Sequence, residues 1–324
     1  MKTYQLPGTD LRVSCLGYGC MNLGGAWDGT PPWAEVRSRA ARLVLNAVEY
    51  GIVFFDHADI YTLGKSETVF GEVLSQSPGL REKVLIQSKC GIRLADDPRV
   101  GDPWRYDFSY DHIVRSVEGS LRRLQTDRLD VLLLHQPDPL VEPDEVARAF
   151  DELQRDGKVR YFGVSNHTAS QIELLKKSLS QLLVVNQLEL SLLHAGLIED
   201  GILANQADNH YSGAAGTLDY CRLHGILIQA WAPVARGKVL DPSGGGDEQA
   251  RRVSELVAQL ANEKGTTREA VALAWLLRHP APIQPILGTT NVARLAASCQ
   301  AEGTTLSREE WYCLLAACRG APVP

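Results

Sequence analysis

The sequence has no apolar run approaching the roughly 18 residues that a membrane span needs. Its opening stretch, Met1 to Ser14, carries Asp10 and Arg12 where a secretory leader needs an apolar segment. A cytoplasmic location is therefore expected, and contact with a membrane is not. The seven cysteines form an odd set without a C-x-x-C pair, which argues against a disulfide framework and a zinc site; no metal is expected. Basic excess is also missing. The formal net charge is −6, charged residues make up 22% of the chain, and the two signs are interleaved, so nucleic acid is not an expected partner. Gly17-Tyr18-Gly19 lacks the third glycine and the following acidic residue of a Rossmann loop.

What is present is a chain of 324 residues, 44% hydrophobic, long enough to bury a large core in one domain spanning 1–324. Eight short apolar runs recur: Val13–Leu16, Val53–Phe55, Val84–Ile86, Val131–Leu134, Arg160–Val164, Leu182–Val185, Ile226–Ala230 and Ile283–Leu287. Their continuous rather than alternating character marks strands buried on both faces, as in parallel sheets. Amphipathic helical spacing fills intervals between them, at Arg42–Tyr50, Ile113–Leu124, Pro143–Leu153 and Val253–Ala261. Two features favour a closed (β/α)8 TIM barrel over an open doubly wound sheet. Thr3–Leu6 and Leu11–Val13 flank the turn Pro7-Gly8-Thr9-Asp10, an N-terminal β-hairpin able to cover the barrel's bottom. Connections leaving strands are long (Cys90–Phe108, Leu188–Gly213, Ala232–Asp247), whereas those leaving helices are short, which places a site at one end. Thr304–Cys318 reads as an extra C-terminal helix, and Pro242-Ser243-Gly244-Gly245-Gly246 as a flexible loop of a size suited to a lid.

Reducing a carbonyl leaves negative charge on oxygen, so such a site needs a proton donor, a group that makes the donor more acidic, and a polar pocket for the oxyanion. Asp56, Lys89 and His135 each follow an apolar run, and Tyr61 lies one short loop beyond Asp56. A buried lysine at a strand end requires a partner, and Asp56 on a neighbouring strand supplies it. A positive Lys89 beside Tyr61 is expected to lower the phenol pKa from its usual value of about 10. A neutral His135 can orient the substrate oxygen. Taken singly, the aspartate reads as a helix cap, the histidine as a satisfied core group and the tyrosine as packing; their gathering at successive strand ends favours chemistry. Trp27, Trp33 and Trp104, in loops after strands, serve equally as walls of an apolar pocket or as loop anchors.

Gly51-Ile52-Val53-Phe54-Phe55-Asp56-His57-Ala58-Asp59-Ile60-Tyr61 resembles the G-x-x-x-F-D-T-A-x-x-Y segment of the aldo-keto reductases, with His57 where that family usually has threonine. Leu129-Asp130-Val131-Leu132-Leu133-Leu134-His135 resembles its D-x-x-x-x-H strand, and Ser88-Lys89 its S-K pair. The similarity runs along essentially the whole chain and is greatest to a bacterial subgroup of general oxidoreductases. It implies that Tyr61 is the general acid, tuned by Lys89 and Asp56, with His135 positioning a small-molecule carbonyl. It also implies NADP(H) as cofactor. Gly163-Val164-Ser165-Asn166 matches the family's G-V-S-N, so Ser165, Asn166 and Gln187 are expected on the nicotinamide carboxamide, and Trp231 stacked on its ring. Gly288, Thr289, Thr290, Asn291 and Arg294 are similar to the segment that binds the 2′-phosphate, around a helix N-terminus. Gly288 stands where some branches carry lysine, and Ala297 and Ser298 where an acidic residue and asparagine often contact adenine.

The implied activity is NADPH-dependent reduction of an aldehyde or ketone. The alternative is an NADPH-binding barrel acting as a redox sensor or partner-regulating subunit, as potassium-channel β subunits of that superfamily do, which the four residues cannot discriminate. A barrel expected to begin at once, without a long partner-binding extension, favours the enzyme. A Schiff-base aldolase would need an unpaired, depressed Lys89 instead. Substrate and oligomeric state are not legible.

Overall fold

The structure, a computed structural model describing residues 1–203, 216–241, 243 and 247–324, begins with the expected hairpin. β1 (Thr3–Gln5) and β2 (Arg12–Ser14) pair antiparallel, Thr3 opposite Ser14. Leu6 N–H bonds Leu11 O at 2.8 Å across the turn. Leu6, Leu11 and Val13 cluster with Phe54, Val131, Leu133, Val185 and Leu227 of the strands that follow, so the hairpin stoppers the barrel. Each such side chain taken out of water contributes about 1.5–3 kcal/mol.

The next strands are β3 (Gly17–Gly19), β4 (Phe54–Asp56) and β5 (Leu85–Cys90). β6 (Ile92–Arg93) and β7 (Arg105–Tyr106) form a separate antiparallel ribbon inside the long loop after β5. β8 (Leu129–Leu134), β9 (Val159–Ser165), β10 (Leu183–Glu189), β11 (Leu227–Trp231) and β12 (Ile283–Leu287) complete the set. β3, β4, β5 and β8 to β12 close into a parallel (β/α)8 barrel in the order β10-β11-β12-β3-β4-β5-β8-β9. The first barrel strand corrects the sequence reading. It is Gly17–Gly19 rather than Val13–Leu16, because β2 belongs to the hairpin. The apolar pattern missed it for a steric reason: a Cβ on Gly17 would meet Ile286 Cδ1 at 2.7 Å, and one on Gly19 would meet Ile286 Cγ2 at 3.0 Å.

The helices are α1 (Ala34–Glu49), α2 (Lys65–Gln76), α3 (Tyr110–Leu124), α4 (Pro143–Arg155), α5 (Ala169–Lys176), α6 (Gly196–Leu203), α7 (Thr217–Leu223), α8 (Glu248–Lys264), α9 (Arg268–Leu277), α10 (Val292–Cys299) and α11 (Arg308–Arg319). α3 turns Ile113, Val117 and Leu124 inward, as their spacing requires. α11 is the extra C-terminal helix. It starts at Ser307, whose hydroxyl accepts from Glu310 N–H while the Glu310 carboxylate accepts from Ser307 N–H, a reciprocal cap. Trp311 on α11 stacks on Trp275 of α9, ring centres 5.3 Å apart, and each indole N–H donates to the other's backbone carbonyl. The glycine-rich stretch, apart from Ser243, and the 188–213 connection from residue 204 onward lie outside the described residues. Among the described residues, no helix is long and apolar enough to cross a membrane.

Candidate active site

The C-terminal ends of β4, β5 and β8 bring Asp56, Lys89 and His135 to one rim, and the turn after β4 returns Tyr61 to it. Lys89 is buried (1% exposed), and its three N–H bonds are all used. Nζ lies 2.8 Å from the Asp56 carboxylate, 2.9 Å from His57 O and 2.9 Å from Tyr61 Oη. The ammonium also sits 4.7 Å from the centre of the Tyr61 ring. His135 meets that ring edge-on, centroids 5.9 Å apart.

The electrostatics follow from burial and from one cation. Burial pulls the Lys89 pKa down, but Asp56 and then Tyr61 outweigh it and hold the ammonium above its ordinary value. Burial, then Lys89, pushes His135 well below the histidine range, so its imidazole is neutral. Tyr61 corrects a sequence expectation. Burial raises the phenol above its ordinary value, and Lys89 opposes this without reversing it. At neutral pH the site therefore presents a protonated phenol whose conjugate base is prepaid by an adjacent cation.

Ser165, Asn166, Trp231 and His135 are also brought together. Asn166 adopts a left-handed conformation, φ +62°, which asparagine tolerates better than most residues. That turn lets Nδ2 reach His135 O (3.2 Å) and Ser165 Oγ (3.0 Å), while Oδ1 accepts the Trp231 indole N–H at 3.0 Å. Ser165 Oγ donates to Gln187 O at 2.9 Å. Gln187 is turned into the barrel. Its Nε2 donates to Asp56 (3.0 Å) and Gln229 (2.9 Å), so what it retains for any ligand is its carbonyl oxygen.

Beyond β12, Gly288, Thr290, Asn291 and Arg294 are exposed. The Asn291 side chain caps α10, accepting from Ala293 N and Arg294 N at 2.8 and 3.2 Å. Tyr18 Oη donates to Thr289 O at 2.8 Å, tying this turn to β3. Arg294 forms no ion pair among the described residues. Trp27, Trp33 and Trp104 are exposed by 47, 73 and 54%, and none contacts another described ring. Asp130, part of the D-x-x-x-x-H match, stands away from the site, where it bridges Arg81 and Arg160 at 3.1 Å each.

Sequence reasoning missed several groups beside the tetrad. His57 is buried edge-on against Phe70, and neither ring nitrogen has a hydrogen-bond partner among the described residues; burial, then Lys89, pushes it down to about 3. The Asp59 carboxyl is pushed up to about 7 by burial and then by Glu67. Gln87, Gln229 and Gln284 are fully buried inside the barrel. Their signal was a glutamine at one level of several strands, readable only once the register is known.

Comparison with known proteins gives the class. The aldo/keto reductase family model matches residues 15–316, and the chain belongs to that family of oxidoreductases. It is 38% identical to the uncharacterized oxidoreductase YcsN of Bacillus subtilis, covering 97% of each chain. It is 35% identical to a 6-dehydroglucose reductase of Agrobacterium fabrum, covering 93% of each. Among solved structures it is similar to the holo form of the aldo-keto reductase AKR11C1 from Bacillus halodurans, with a TM-score of 0.78 at 27% identity, covering 99% of this chain and 98% of that one.

Proposed function

We propose that the whole chain, 1–324, acts as one barrel that reduces a small aldehyde or ketone to the alcohol with NADPH. The observation that carries this reading is the buried Lys89 ammonium, bonded at once to Asp56 and to the Tyr61 hydroxyl. Bound reduced nicotinamide would supply a hydride to the carbonyl carbon. Tyr61 then gives its proton to the carbonyl oxygen, and Lys89 stabilises the phenolate left behind. Asp56 keeps Lys89 charged. Neutral His135 donates a hydrogen bond that orients the oxygen without offering a competing proton.

The residues present fit the cofactor. Ser165, Asn166, the Gln187 carbonyl oxygen and the Trp231 ring line one side of the rim as a nicotinamide holder. Arg294, exposed and with no ion pair among the described residues, together with Gly288, Thr289, Thr290 and Asn291 at the start of α10, suits a 2′-phosphate. Asn291 already caps two amides of that helix, so most of the phosphate's charge falls to Arg294. A relative named for reducing a dehydro sugar supports a carbonyl as substrate. The test is titration of intrinsic fluorescence with NADPH and NADH, then a panel of aldehydes and ketones followed by NADPH absorbance. NADPH quenching with turnover of some carbonyl is expected; saturation by neither coenzyme would reject the reading.

A further inference from the structure

Inside the barrel, above the apolar stopper, lies a row of amides. β5, β10, β11 and β12 each contribute one glutamine, and Gln187 stands opposite Gln229, which stands opposite Gln284. Gln87 stands opposite Asp56. Gln87 Nε2 donates to Asp56 Oδ1 (2.6 Å) and to Gln229 Oε1 (2.8 Å). Gln187 Nε2 makes the same two bonds at 3.0 and 2.9 Å. Gln229 Nε2 donates to Gln284 Oε1 at 2.8 Å, and Gln284 Nε2 to Ser14 O at 2.7 Å. β5 and β11 are not neighbours in the barrel, so these bonds cross its interior.

The polarity of this row is dictated from one end. An ionised carboxylate only accepts, so both glutamines facing Asp56 must present nitrogen to it. Their second hydrogens then require an oxygen from Gln229, whose nitrogen in turn requires an oxygen from Gln284. Reversing Gln87 or Gln187 would set acceptor against acceptor, and reversing Gln229 or Gln284 would set donor against donor as well. Barrel interiors are commonly filled with aliphatic side chains, and buried amides are costly unless connected. A polar layer at this level therefore needs a reason, and Asp56 is the charge it converges on.

We propose that Gln87 and Gln229 are positioning residues for carbonyl reduction: Gln87 holds Asp56 Oδ1 directly, Gln229 Oε1 fixes the Gln87 and Gln187 amides that face it, and together they keep the carboxylate from drawing Lys89 away from Tyr61. This rests on the tetrad reading above. With two amide bonds on Asp56, the lysine divides its protons between Asp56, His57 O and Tyr61. Without them, the barer carboxylate pulls the ammonium inward and the phenolate loses its partner.

The test compares Gln87→Met, Gln87→Glu and Gln229→Leu with wild type, using NADPH and 4-nitrobenzaldehyde, over a range of pH. Gln87→Met should lower kcat about 10–100-fold with KM changed less than about threefold, the loss expected for a hydrogen bond to a charged group. Gln87→Glu should be poor at high pH and recover as the pH falls, because only its protonated carboxyl can donate to Asp56 and its ionised form repels it. In cofactor-free protein, ultraviolet difference titration against Tyr61→Phe should place the Tyr61 ionisation higher in Gln87→Met than in wild type. Gln229→Leu should reproduce a weaker form of both effects. A folded Gln87→Met with wild-type kcat and Tyr61 titration overturns the proposal, as does collapse of the fold in both Gln87→Met and Gln229→Leu, which would make the row a packing element. Full turnover by Tyr61→Phe in the same series would instead defeat the tetrad reading beneath it.

Discussion

Lys89→Met is the most informative substitution outside the acid itself, because the ammonium serves two neighbours. A full negative charge on Tyr61 Oη, 2.9 Å from Nζ, would interact with it by about 6 kcal/mol at an effective dielectric of about 20. If about half a charge has developed when the barrier is crossed, about 3 kcal/mol is lost, and kcat should fall by about two decades. The fold also suffers. Asp56 would remain buried with only Gln87 and Gln187 on it, and breaking a buried pair from one side costs about 3–5 kcal/mol, a large part of the about 5–15 kcal/mol of a typical domain. The double variant Lys89→Met/Asp56→Asn separates these effects: it should regain most of the stability and none of the activity. Steady-state kcat with NADPH and an aldehyde, beside urea unfolding of all three proteins, gives the comparison. Lys89→Met with kcat within fivefold of wild type would refute the electrostatic reasoning.

Arg294→Ala should weaken NADPH binding by about tenfold or more while leaving NADH nearly unchanged, since a charged bond to phosphate is removed; equal loss for both coenzymes would remove the phosphate assignment. His57 is held neutral, its value pushed down to about 3, against about 6.5 in an unfolded chain. The unfolded state therefore takes the proton first, and stability, whole above about pH 6.5, declines by on the order of 2 kcal/mol by pH 5. His57→Thr should lose correspondingly less over that interval in denaturant titrations, and an unchanged slope would contradict the assignment. Asp59 acts in the opposite sense, because its carboxyl is pushed up to about 7. The folded state binds that proton first, stability falls as pH rises from about 4 to 7, and Asp59→Asn should flatten that fall.

The gathering of these four residues was legible because Asp56, Lys89 and His135 each follow an apolar run, with Tyr61 one short loop beyond Asp56, and a charge at the end of a buried strand demands a partner. Asp56 and Lys89 identify one another by sign alone. The Tyr61 titration was misjudged for a physical reason: charge logic counted the neighbouring Lys89, while burial, invisible in the sequence, weighs more. Gln187 shows a second limit. The resemblance implied a contact with the nicotinamide carboxamide, but barrel closure turns the Gln187 N–H groups toward Asp56 and Gln229. The glutamines of β5, β11 and β12 went unread because a lone glutamine in a strand suggests a solvent face, and only register places them on one level. Gly17-Tyr18-Gly19 has too little apolar character to read as a strand, since contact with Ile286 forbids larger residues there. Helix starts such as Ala34–Ala41 of α1 and Glu248–Arg252 of α8 were missed because their first turns are largely polar and exposed.

The account turns on Tyr61 as proton donor, and a rapid-mixing single turnover of Tyr61→Phe with NADPH already bound tests it most directly. The variant should bind NADPH within about twofold of wild type and reduce the carbonyl about 100–10,000-fold more slowly, the range expected for removal of a general acid. Wild-type reduction in that single turnover would contradict the assignment.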